Sequence, residues 1–320
     1  MNPTSRVLRA RILDSRPNFA YIFSAFHRVA REDTFALKQP FFQKNRYLSL
    51  VKIEHTLFTL PLVYGGLVLG LHGAPTVRIL LFVLLSAIGA RTAAFALNRI
   101  IDRDIDKRNP RTASRELPTG RVRLGEAIGV LVLGISLYLT SAAMISTFCL
   151  ALSPVPLIIF ALYPYMKRFT ALAHFGVGLG MAMAPLGGWF AASPSFDNLL
   201  AAALLCLFTL FWGAGFDIIY ATLDEEFDRR EHLYSFVSRF GRQKALFWSS
   251  ILHGIAFACL SLLFFTTIRT WYAAPFLLTT GALLWLEQRK ADDVQLAFFN
   301  INAGLGFLVF GMIVTGAVVR

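Results

Sequence analysis

The stretch from Arg91 to Gly120 reads RTAAFALNRIIDRDIDKRNPRTASRELPTG and leads from an apolar helix into a charged loop. Within it, Asn98, Asp102 and Asp106 recur at intervals of four residues. Because an α-helix has about 3.6 residues per turn, this spacing places the three oxygen-bearing side chains on one helical face. Oxygen ligands held close together suit Mg²⁺, which proteins bind through a few carboxylates together with the phosphates of a substrate. The spacing therefore predicts part of a metal site, although a polar helix end that leads into a loop has the same pattern.

A second acidic stretch, Asp217–Asp228, reads DIIYATLDEEFD. Asp217, Asp224 and Asp228 again share one helical face, and Tyr220 lies on an adjoining position. This stretch also leads from a long apolar segment into a loop rich in arginine. The chain has only 19 acidic residues, so two acidic helix ends of the same design favour a shared site for a metal ion and a diphosphate.

The composition predicts an integral membrane protein. The chain has 320 residues, of which 56% are hydrophobic and 16% are charged, and its mean hydropathy is +0.59. Soluble proteins carry charge on about 25% of their residues. The net charge of +12 is concentrated at the ends of apolar segments. This placement is typical of membrane orientation and phosphate binding, and it argues against a nucleic-acid partner.

The apolar segments are long enough to cross a lipid bilayer, which takes about 20 apolar residues per helix. We predict nine spans, near residues 52–72, 77–101, 124–142, 144–165, 171–192, 199–222, 244–265, 268–286 and 296–319. Residues 49–320 then form the transmembrane domain. Residues 1–48 form a basic N-terminal extension, which is expected to lie on the membrane surface or to be disordered.

The charges of the connecting loops predict the orientation of these spans. Alternate connections are rich in lysine and arginine, and such loops stay on the cytoplasmic side of the membrane. Nine spans then place both acidic stretches on the cytoplasmic face of the inner or plasma membrane. The acidic stretches end the second and the sixth span. This predicts an all-α fold of two four-helix halves around a central cleft, plus one extra helix.

Arg91 is a charged residue within an apolar helix, two turns before Asn98. Charged side chains at membrane depth are costly and commonly mark a functional pathway. Arg91 could clamp a diphosphate or a carboxylate with its forked guanidinium, or it could be the structural partner of a nearby acid.

The two acidic stretches and their surroundings resemble the signature motifs of the UbiA superfamily of intramembrane prenyltransferases. The matching residues are Asn98-x3-Asp102-x3-Asp106, then Asn109-Pro110-Arg111-Thr112…Arg115…Pro118-x-Gly120, and Asp217-x2-Tyr220-Ala221-x2-Asp224-x3-Asp228. Glu54–Phe58 and Tyr163-x3-Lys167 are similar to shorter features of the family. The resemblance covers residues 46–320.

Within the superfamily, the chain looks most like the quinone-pathway branch of 4-hydroxybenzoate polyprenyltransferases. The commonest first motif has Asp directly after the Asn, whereas this chain has Arg99. That variant resembles enzymes proposed to prenylate a dihydroxynaphthoate in a menaquinone pathway. The resemblance thus implies transfer of a polyprenyl group from a polyprenyl diphosphate to the ring of a hydroxylated aromatic acid, in ubiquinone or menaquinone biosynthesis. It leaves the identity of the acid open.

The resemblance also implies dependence on Mg²⁺, with ligands from both stretches. The implied ligands are Asn98, Asp102, Asp106, Asp224 and Asp228. Asp217 is expected to be a catalytic residue that contacts these ligands without binding the metal ion itself. A metal ion that bridges carboxylates and phosphate oxygens stabilises the charge that develops on the leaving diphosphate.

The two substrates require further side chains. We expect cationic contacts to the diphosphate from Lys167 and from Arg111 or Arg115, and a hydrogen bond from Tyr163. Lys167 could equally be a cytoplasmic anchor without a catalytic role.

The aromatic acid and the prenyl tail need different surroundings. The carboxylate of the acid requires a cation, for which Arg91 and Lys52 are the candidates. The allylic cation requires a dry cavity, and the new carbon–carbon bond is expected ortho to the hydroxyl of the acid. The tail is expected to lie between helices that are open to lipid.

A secondary transporter with acidic ion sites near the membrane midplane is the alternative. Such a protein also combines repeats with intramembrane charge. The acids here lie at cytoplasmic helix ends beside arginine-rich loops, which favours diphosphate binding over ion translocation. A transporter predicts solute uptake without formation of a product.

Overall fold

The computed structural model describes residues 45–52, 56–294 and 301–319. Most of the predicted N-terminal extension lies outside these residues, as do Glu54 and His55 of the short motif and the first residues of the last predicted span. The helices, in chain order, are α1 Arg46–Leu50, α2 Thr56–Gly70, α3 Val77–Ile101, α4 Arg103–Arg108, α5 Leu124–Ile145, α6 Thr147–Leu152, α7 Pro154–Met166, α8 Ala173–Ala192, α9 Leu200–Ala221, α10 Glu225–Arg230, α11 Phe236–Phe240, α12 Arg242–Leu263, α13 Ala274–Arg289 and α14 Asn302–Val318.

The described residues contain six helical segments that are long and apolar enough to cross a membrane. They are Val77–Ile101, Leu124–Ile145, Thr147–Met166, Ala173–Ala192, Leu200–Arg230 and Arg242–Ile268. Two shorter apolar helices are Thr59–Gly70 and Asn302–Val318. The described ranges contain no β-strand, so the prediction of an all-α, polytopic membrane protein is confirmed for them. The exact count of nine spans remains a prediction.

Glycine residues allow α2 and α8 to approach until their backbones touch. A Cβ atom added at Gly66 of α2 would overlap the carbonyl group of Pro185 in α8. In the opposite direction, a Cβ atom at Gly188 of α8 would overlap the carbonyl group of Val63 in α2. Small residues at helix interfaces permit such close packing in membranes, where dispersion contacts between helices replace the hydrophobic effect. The distance between these two helices is therefore set by their backbones.

The largest buried cluster lies among α2, α8, α9, α12, α13 and α14, and Trp212 of α9 is buried within it. The indole Nε1 of Trp212 donates a hydrogen bond to Oδ1 of Asn302 at 2.7 Å. Nδ2 of Asn302 in turn donates to Oε1 of Glu287 at 2.9 Å, and Glu287 has no exposed surface. Buried polar groups need such partners, so this chain of contacts fixes α13 and α14 against α9.

The two acidic stretches leave the bundle on the same side. α3 is followed directly by the short helix α4, and α9 by a 3₁₀ turn, Thr222–Asp224, and then α10. Arg108 at the end of α4 forms an ion pair with Glu231, just beyond α10, with 2.7 Å between Nε and Oε2. The turns after the second and sixth predicted spans therefore meet, as the central-cleft hypothesis requires.

Candidate active site

The first acidic stretch keeps its helical face across the break between α3 and α4. The N–H of Asp102 donates to the carbonyl of Asn98 at 3.0 Å, and the N–H of Asp106 donates to the carbonyl of Asp102 at 2.8 Å. The side chains continue the pattern, since Nδ2 of Asn98 donates to Oδ2 of Asp102 at 3.2 Å. Asp102 and Asp106 are both buried. The structure thus brings Asn98 and Asp102 into direct contact.

Arg111 joins the loop after the first stretch to the second stretch. Its Nε donates to Oδ1 of Asp224 at 2.8 Å, and its Nη2 contacts Oδ2 of the same carboxylate. Its Nη1 donates to the hydroxyl of Tyr220 at 2.6 Å. Asn109 adds a bond from Nδ2 to Oδ1 of Asp224 at 2.8 Å. Segments that are far apart in sequence therefore form one polar cluster.

Arginine and lysine also pair with the carboxylates of the first stretch. Nη1 of Arg115 contacts both oxygens of Asp106, at 2.8 and 2.9 Å. Nζ of Lys167 lies 2.7 Å from Oδ2 of Asp102, and Lys167 also interacts electrostatically with Asp228. Burial raises the pKa of the Asp102 carboxyl, and the nearby charge of Lys167 acts in the opposite direction. Lys167 therefore lies within the site, between the two stretches, which favours a site role over a surface anchor.

The oxygen atoms of this cluster fit a hard divalent cation. Among the described residues, no group of three or more His, Cys, Asp or Glu side chains is arranged to hold a metal ion, and Asp102, Asp106 and Asp224 each pair with lysine or arginine. Oδ1 of Asp102 is nevertheless a buried oxygen without a hydrogen bond, and the cation nearest to it, Nη2 of Arg168, lies 3.5 Å away. Carboxylate and amide oxygens are the ligands that Mg²⁺ takes, and the charge of the metal would satisfy that oxygen. The residues present therefore fit Mg²⁺.

Asp217 has a different partner from the other acids. Its Oδ2 lies 2.7 Å from Nδ1 of His174, at the start of α8. Nε2 of His174 accepts a hydrogen bond from the N–H of Phe236 at 3.2 Å. The sequence alone does not point to His174, because a lone histidine at the start of an apolar helix carries no local signal of its role.

A cavity of about 1160 Å³ adjoins this cluster and extends along α3. Its polar lining includes Lys52, Arg91, Asn98, Arg99, Arg111, Arg115, Tyr163, Asp217 and Tyr220. The remaining predicted metal ligands are not among the lining residues. Asp102, Asp106 and Asp224 pair with cations, whereas Asp228 interacts with Lys167 only electrostatically. Of the predicted diphosphate and acceptor residues, Lys52, Arg91, Arg111, Arg115 and Tyr163 thus surround one space, whereas Lys167 is not among its lining residues.

Arg91 faces this cavity from the middle of the apolar part of α3. Its Nη1 donates to Oγ1 of Thr59 at 3.2 Å, and its guanidinium lies over the ring of Phe95, 4.8 Å from the centroid. Both contacts orient the guanidinium towards the interior of the bundle.

Aromatic rings lie at the end of the cavity that is remote from the acidic stretches. The ring of Phe148 is 5.2 Å from that of Phe190 and 5.3 Å from that of Phe196, measured between centroids. Phe190 and Phe196 are themselves 5.5 Å apart, and both line the cavity. We call these three residues the phenylalanine cluster.

Sequence comparison shows that this chain is similar to known prenyltransferases. The sequence profile of the UbiA prenyltransferase family matches residues 59–316. A 4-hydroxybenzoate octaprenyltransferase of Herminiimonas arsenicoxydans is 31% identical over 291 residues, which covers 86% of this chain and 98% of that protein. A protein of the same name from Burkholderia mallei is 31% identical over 208 residues, covering 62% of this chain and 70% of that protein.

Solved structures share the fold. The apo structure of a UbiA homolog from Aeropyrum pernix K1 has a TM-score of 0.77 and 33% identity, and the match covers 82% of this chain and 98% of that one. A UbiA homolog from Archaeoglobus fulgidus, bound to DMAPP and Mg²⁺, has a TM-score of 0.69 at 20% identity and covers 86% of this chain and 99% of that one. From the family profile, together with these similarities, this chain belongs to the UbiA prenyltransferase family.

Proposed function

We propose that this chain is a magnesium-dependent aromatic prenyltransferase of quinone biosynthesis, which joins a polyprenyl group to the ring of 4-hydroxybenzoate. The observation that carries the proposal is a cavity that adjoins both acidic stretches at one end and continues as a largely apolar space. Such a space suits a donor with a highly charged head and a long hydrocarbon tail. The names of the curated relatives support the same reaction.

Oxygen atoms from both stretches would hold the metal. The proposed ligands are Asn98, Asp102, Asp106, Asp224 and Asp228. When bound, Mg²⁺ supplies positive charge opposite the leaving diphosphate. Oδ1 of Asp102 makes no hydrogen bond, which supports a place for this residue in the set.

The cations that pair with the acids would also bind the diphosphate. Arg111, Arg115 and Lys167 bind carboxylates in the structure, and a diphosphate offers them oxygen acceptors of higher charge. Arginine binds phosphate with two parallel hydrogen bonds, which orients as well as holds it. Tyr163 lines the same end of the cavity and would donate a hydrogen bond to the diphosphate.

The remaining cavity would hold the acceptor and the tail. Arg91 or Lys52 would bind the carboxylate of the aromatic acid, since both line the cavity. Val83 and Asn98 lie on the cavity wall at opposite ends of α3, about 22 Å apart along the helix axis at its usual rise per residue. The apolar residues of this wall would exclude water from the allylic cation.

Two observations favour different aromatic acids as the acceptor. The relatives named above favour 4-hydroxybenzoate, whereas Arg99 favours a dihydroxynaphthoate. Arg99 is buried and lines the cavity near Asp106 and Arg115, so it alters the charge at the polar end. We further propose that this end faces the cytoplasm, because the arginine-rich loops lie beside it.

The test is product formation in membranes that contain the full-length chain. Labelled polyprenyl diphosphate is supplied with 4-hydroxybenzoate or with a dihydroxynaphthoate, with Mg²⁺ or with a chelator, and products are identified by mass. We expect a prenylated 4-hydroxybenzoate only when Mg²⁺ is present. Product from the naphthoate alone would correct the acceptor. Absence of product from both acids would refute the proposal, and solute uptake by proteoliposomes would then favour a transporter.

Variants of the acids test the metal site with a matched control. Asp102→Asn and Asp224→Asn should abolish magnesium-dependent turnover while the protein is still inserted and folded. Asp104→Asn is the control, because the side chain of Asp104 is 74% exposed and pairs with its neighbour Arg103. Retained activity in the first two variants would contradict their assignment as ligands.

A further inference from the structure

His174 connects Asp217 to a segment that follows the second acidic stretch. It is buried, with 4% of its surface exposed, and both ring nitrogens make contacts. Nδ1 lies 2.7 Å from Oδ2 of Asp217, and the N–H of Phe236 lies 3.2 Å from Nε2. Phe236 is the first residue of α11, which Ser235 caps.

These two contacts determine the protonation state of the imidazole. A backbone N–H can only donate, so Nε2 of His174 must be the unprotonated acceptor. The ring proton then lies on Nδ1 and is donated to Asp217, and the imidazole is neutral. Asp217 is therefore held by a neutral donor, whereas Asp102, Asp106 and Asp224 pair with lysine or arginine.

Close contact between α8 and α9 brings the two short side chains together. A Cβ atom added at Gly178 of α8 would overlap the carbonyl of Leu210 in α9, and one at Gly213 of α9 would lie 3.1 Å from the Cα of Gly178. His174 lies one helical turn before Gly178, and Asp217 lies one turn after Gly213. Because the backbones touch at the glycines, the side chains one turn away are within hydrogen-bond reach.

The remaining oxygen of Asp217 is available to the cavity. The side chain of Asp217 is 26% exposed, and Asp217 is among the cavity-lining residues. Asp217 also lies about 10 Å further along the helix from Asp224, towards the interior of the membrane. A carboxylate in that position repels a diphosphate but accepts a hydrogen bond from a hydroxyl group.

We propose that His174 is a positioning residue, which orients Asp217 so that its second carboxylate oxygen accepts a hydrogen bond from the hydroxyl of the aromatic acceptor. This inference rests on the proposed prenyltransferase function and adds the group that recognises the hydroxyl. The hydrogen bond from His174 prevents rotation of the carboxylate, and the bond from Phe236 prevents rotation of the imidazole.

Two substitutions separate the contacts of His174. In His174→Asn, the side-chain amide can still donate to Asp217 from the position of Nδ1. In His174→Gln, the amide can accept from Phe236 at the position of Nε2 but no longer reaches Asp217. The control is His72→Gln, since His72 is an exposed histidine in the loop between α2 and α3.

The full-length enzyme is assayed with 4-hydroxybenzoate, and binding of benzoate, which lacks the hydroxyl, is measured in parallel by competition. We expect His174→Gln to lower kcat/KM for 4-hydroxybenzoate by about tenfold or more, because tenfold is near the lower limit for losing one hydrogen bond to a charged group. The KM for the diphosphate should stay unchanged. The preference for 4-hydroxybenzoate over benzoate should fall in this variant and be largely retained in His174→Asn.

The outcomes distinguish this inference from the function on which it rests. Equal losses in the Asn and Gln variants, or an unchanged preference for the hydroxyl in His174→Gln, would overturn the role of His174 while the prenyltransferase stands. A wild-type protein that prenylates no aromatic acid would overturn both. Thermal unfolding of each variant identifies any that fails to fold. In that case Asp217→Asn tests the same contact through Asp217, again by the preference for 4-hydroxybenzoate over benzoate.

Discussion

Arg111 contacts both carboxylate oxygens of Asp224, although the two residues lie 113 positions apart in the sequence. Asn109 also donates to Oδ1 of Asp224, so three donors surround this carboxylate. A carboxylate has about four acceptor positions, and these donors take three of them, so a metal ion competes with them for Asp224. The phosphates of an incoming donor are acceptors to which the guanidinium can move, so substrate binding and metal binding are expected to be coupled at this pair.

Arg111→Lys tests this coupling. Lysine keeps the positive charge but loses the fork that binds two oxygens at once. We expect the KM for polyprenyl diphosphate to rise about tenfold, which corresponds to about 1.4 kcal/mol, and the KM for the aromatic acid to stay the same. Arg108→Lys is the control, since Arg108 pairs with Glu231 at the edge of the same cluster. Equal effects of both variants would indicate a general charge effect.

Arg91→Ala tests how the acceptor is held. Loss of the guanidinium should raise the Michaelis constant of the aromatic acid, because a charged hydrogen bond to its carboxylate contributes about 1.5–3 kcal/mol. Steady-state kinetics with each substrate varied in turn provide the measurement. Arg78→Ala is the control, because Arg78 lies in the first turn of α3, away from Arg91, and donates to the carbonyl of Met144. If neither constant changes, Arg91 is a structural residue.

Phe196→Ala tests whether the phenylalanine cluster limits the length of the prenyl tail. An octaprenyl chain, if it is the donor here as the names of the relatives suggest, is longer when fully extended than the ~22 Å of wall along α3, so a tail that stays inside the cavity has to pass or displace this cluster. Removing one ring should shift the preference towards longer donors, measured as the ratio of kcat/KM values for donors of different length. Phe307→Ala is the control, as Phe307 is exposed on α14. An unchanged ratio would mean that the tail leaves between helices before it reaches the cluster.

Gly188→Ala tests the backbone contact between α2 and α8. The added methyl group would overlap the carbonyl of Val63, and overpacking of this kind costs about 1–3 kcal/mol. We expect a lower midpoint of thermal unfolding in detergent. Gly129→Ala is the matched control, because a Cβ atom there meets nothing within 4 Å and alanine favours helix more than glycine does. A lower midpoint of thermal unfolding in Gly129→Ala, together with an unchanged midpoint in Gly188→Ala, would contradict the backbone contact between α2 and α8.

Local features of the site could be predicted from sequence, and its pairings could not. The four-residue spacing of Asn98, Asp102 and Asp106 follows from helix periodicity, so their common face was accessible in advance. The choice of Asp224 as the partner of Arg111 depends on how two distant segments pack, and several arginines nearby have the same local pattern. His174 illustrates the same limit, because only the close approach of α8 and α9 gives it a partner.

The buried contact between Glu287 and Asn302 has a consequence for how the chain enters the membrane during synthesis. Glu287 lies on α13, and its partner lies at the start of α14, which emerges later from the ribosome. Until Asn302 arrives, the carboxyl of Glu287 lacks this hydrogen-bond donor, and burying a polar group without a partner is unfavourable. The helices of the second half are therefore expected to reach their final packing only after α14 has been inserted. A chain truncated before residue 302 is expected to be degraded by membrane proteases.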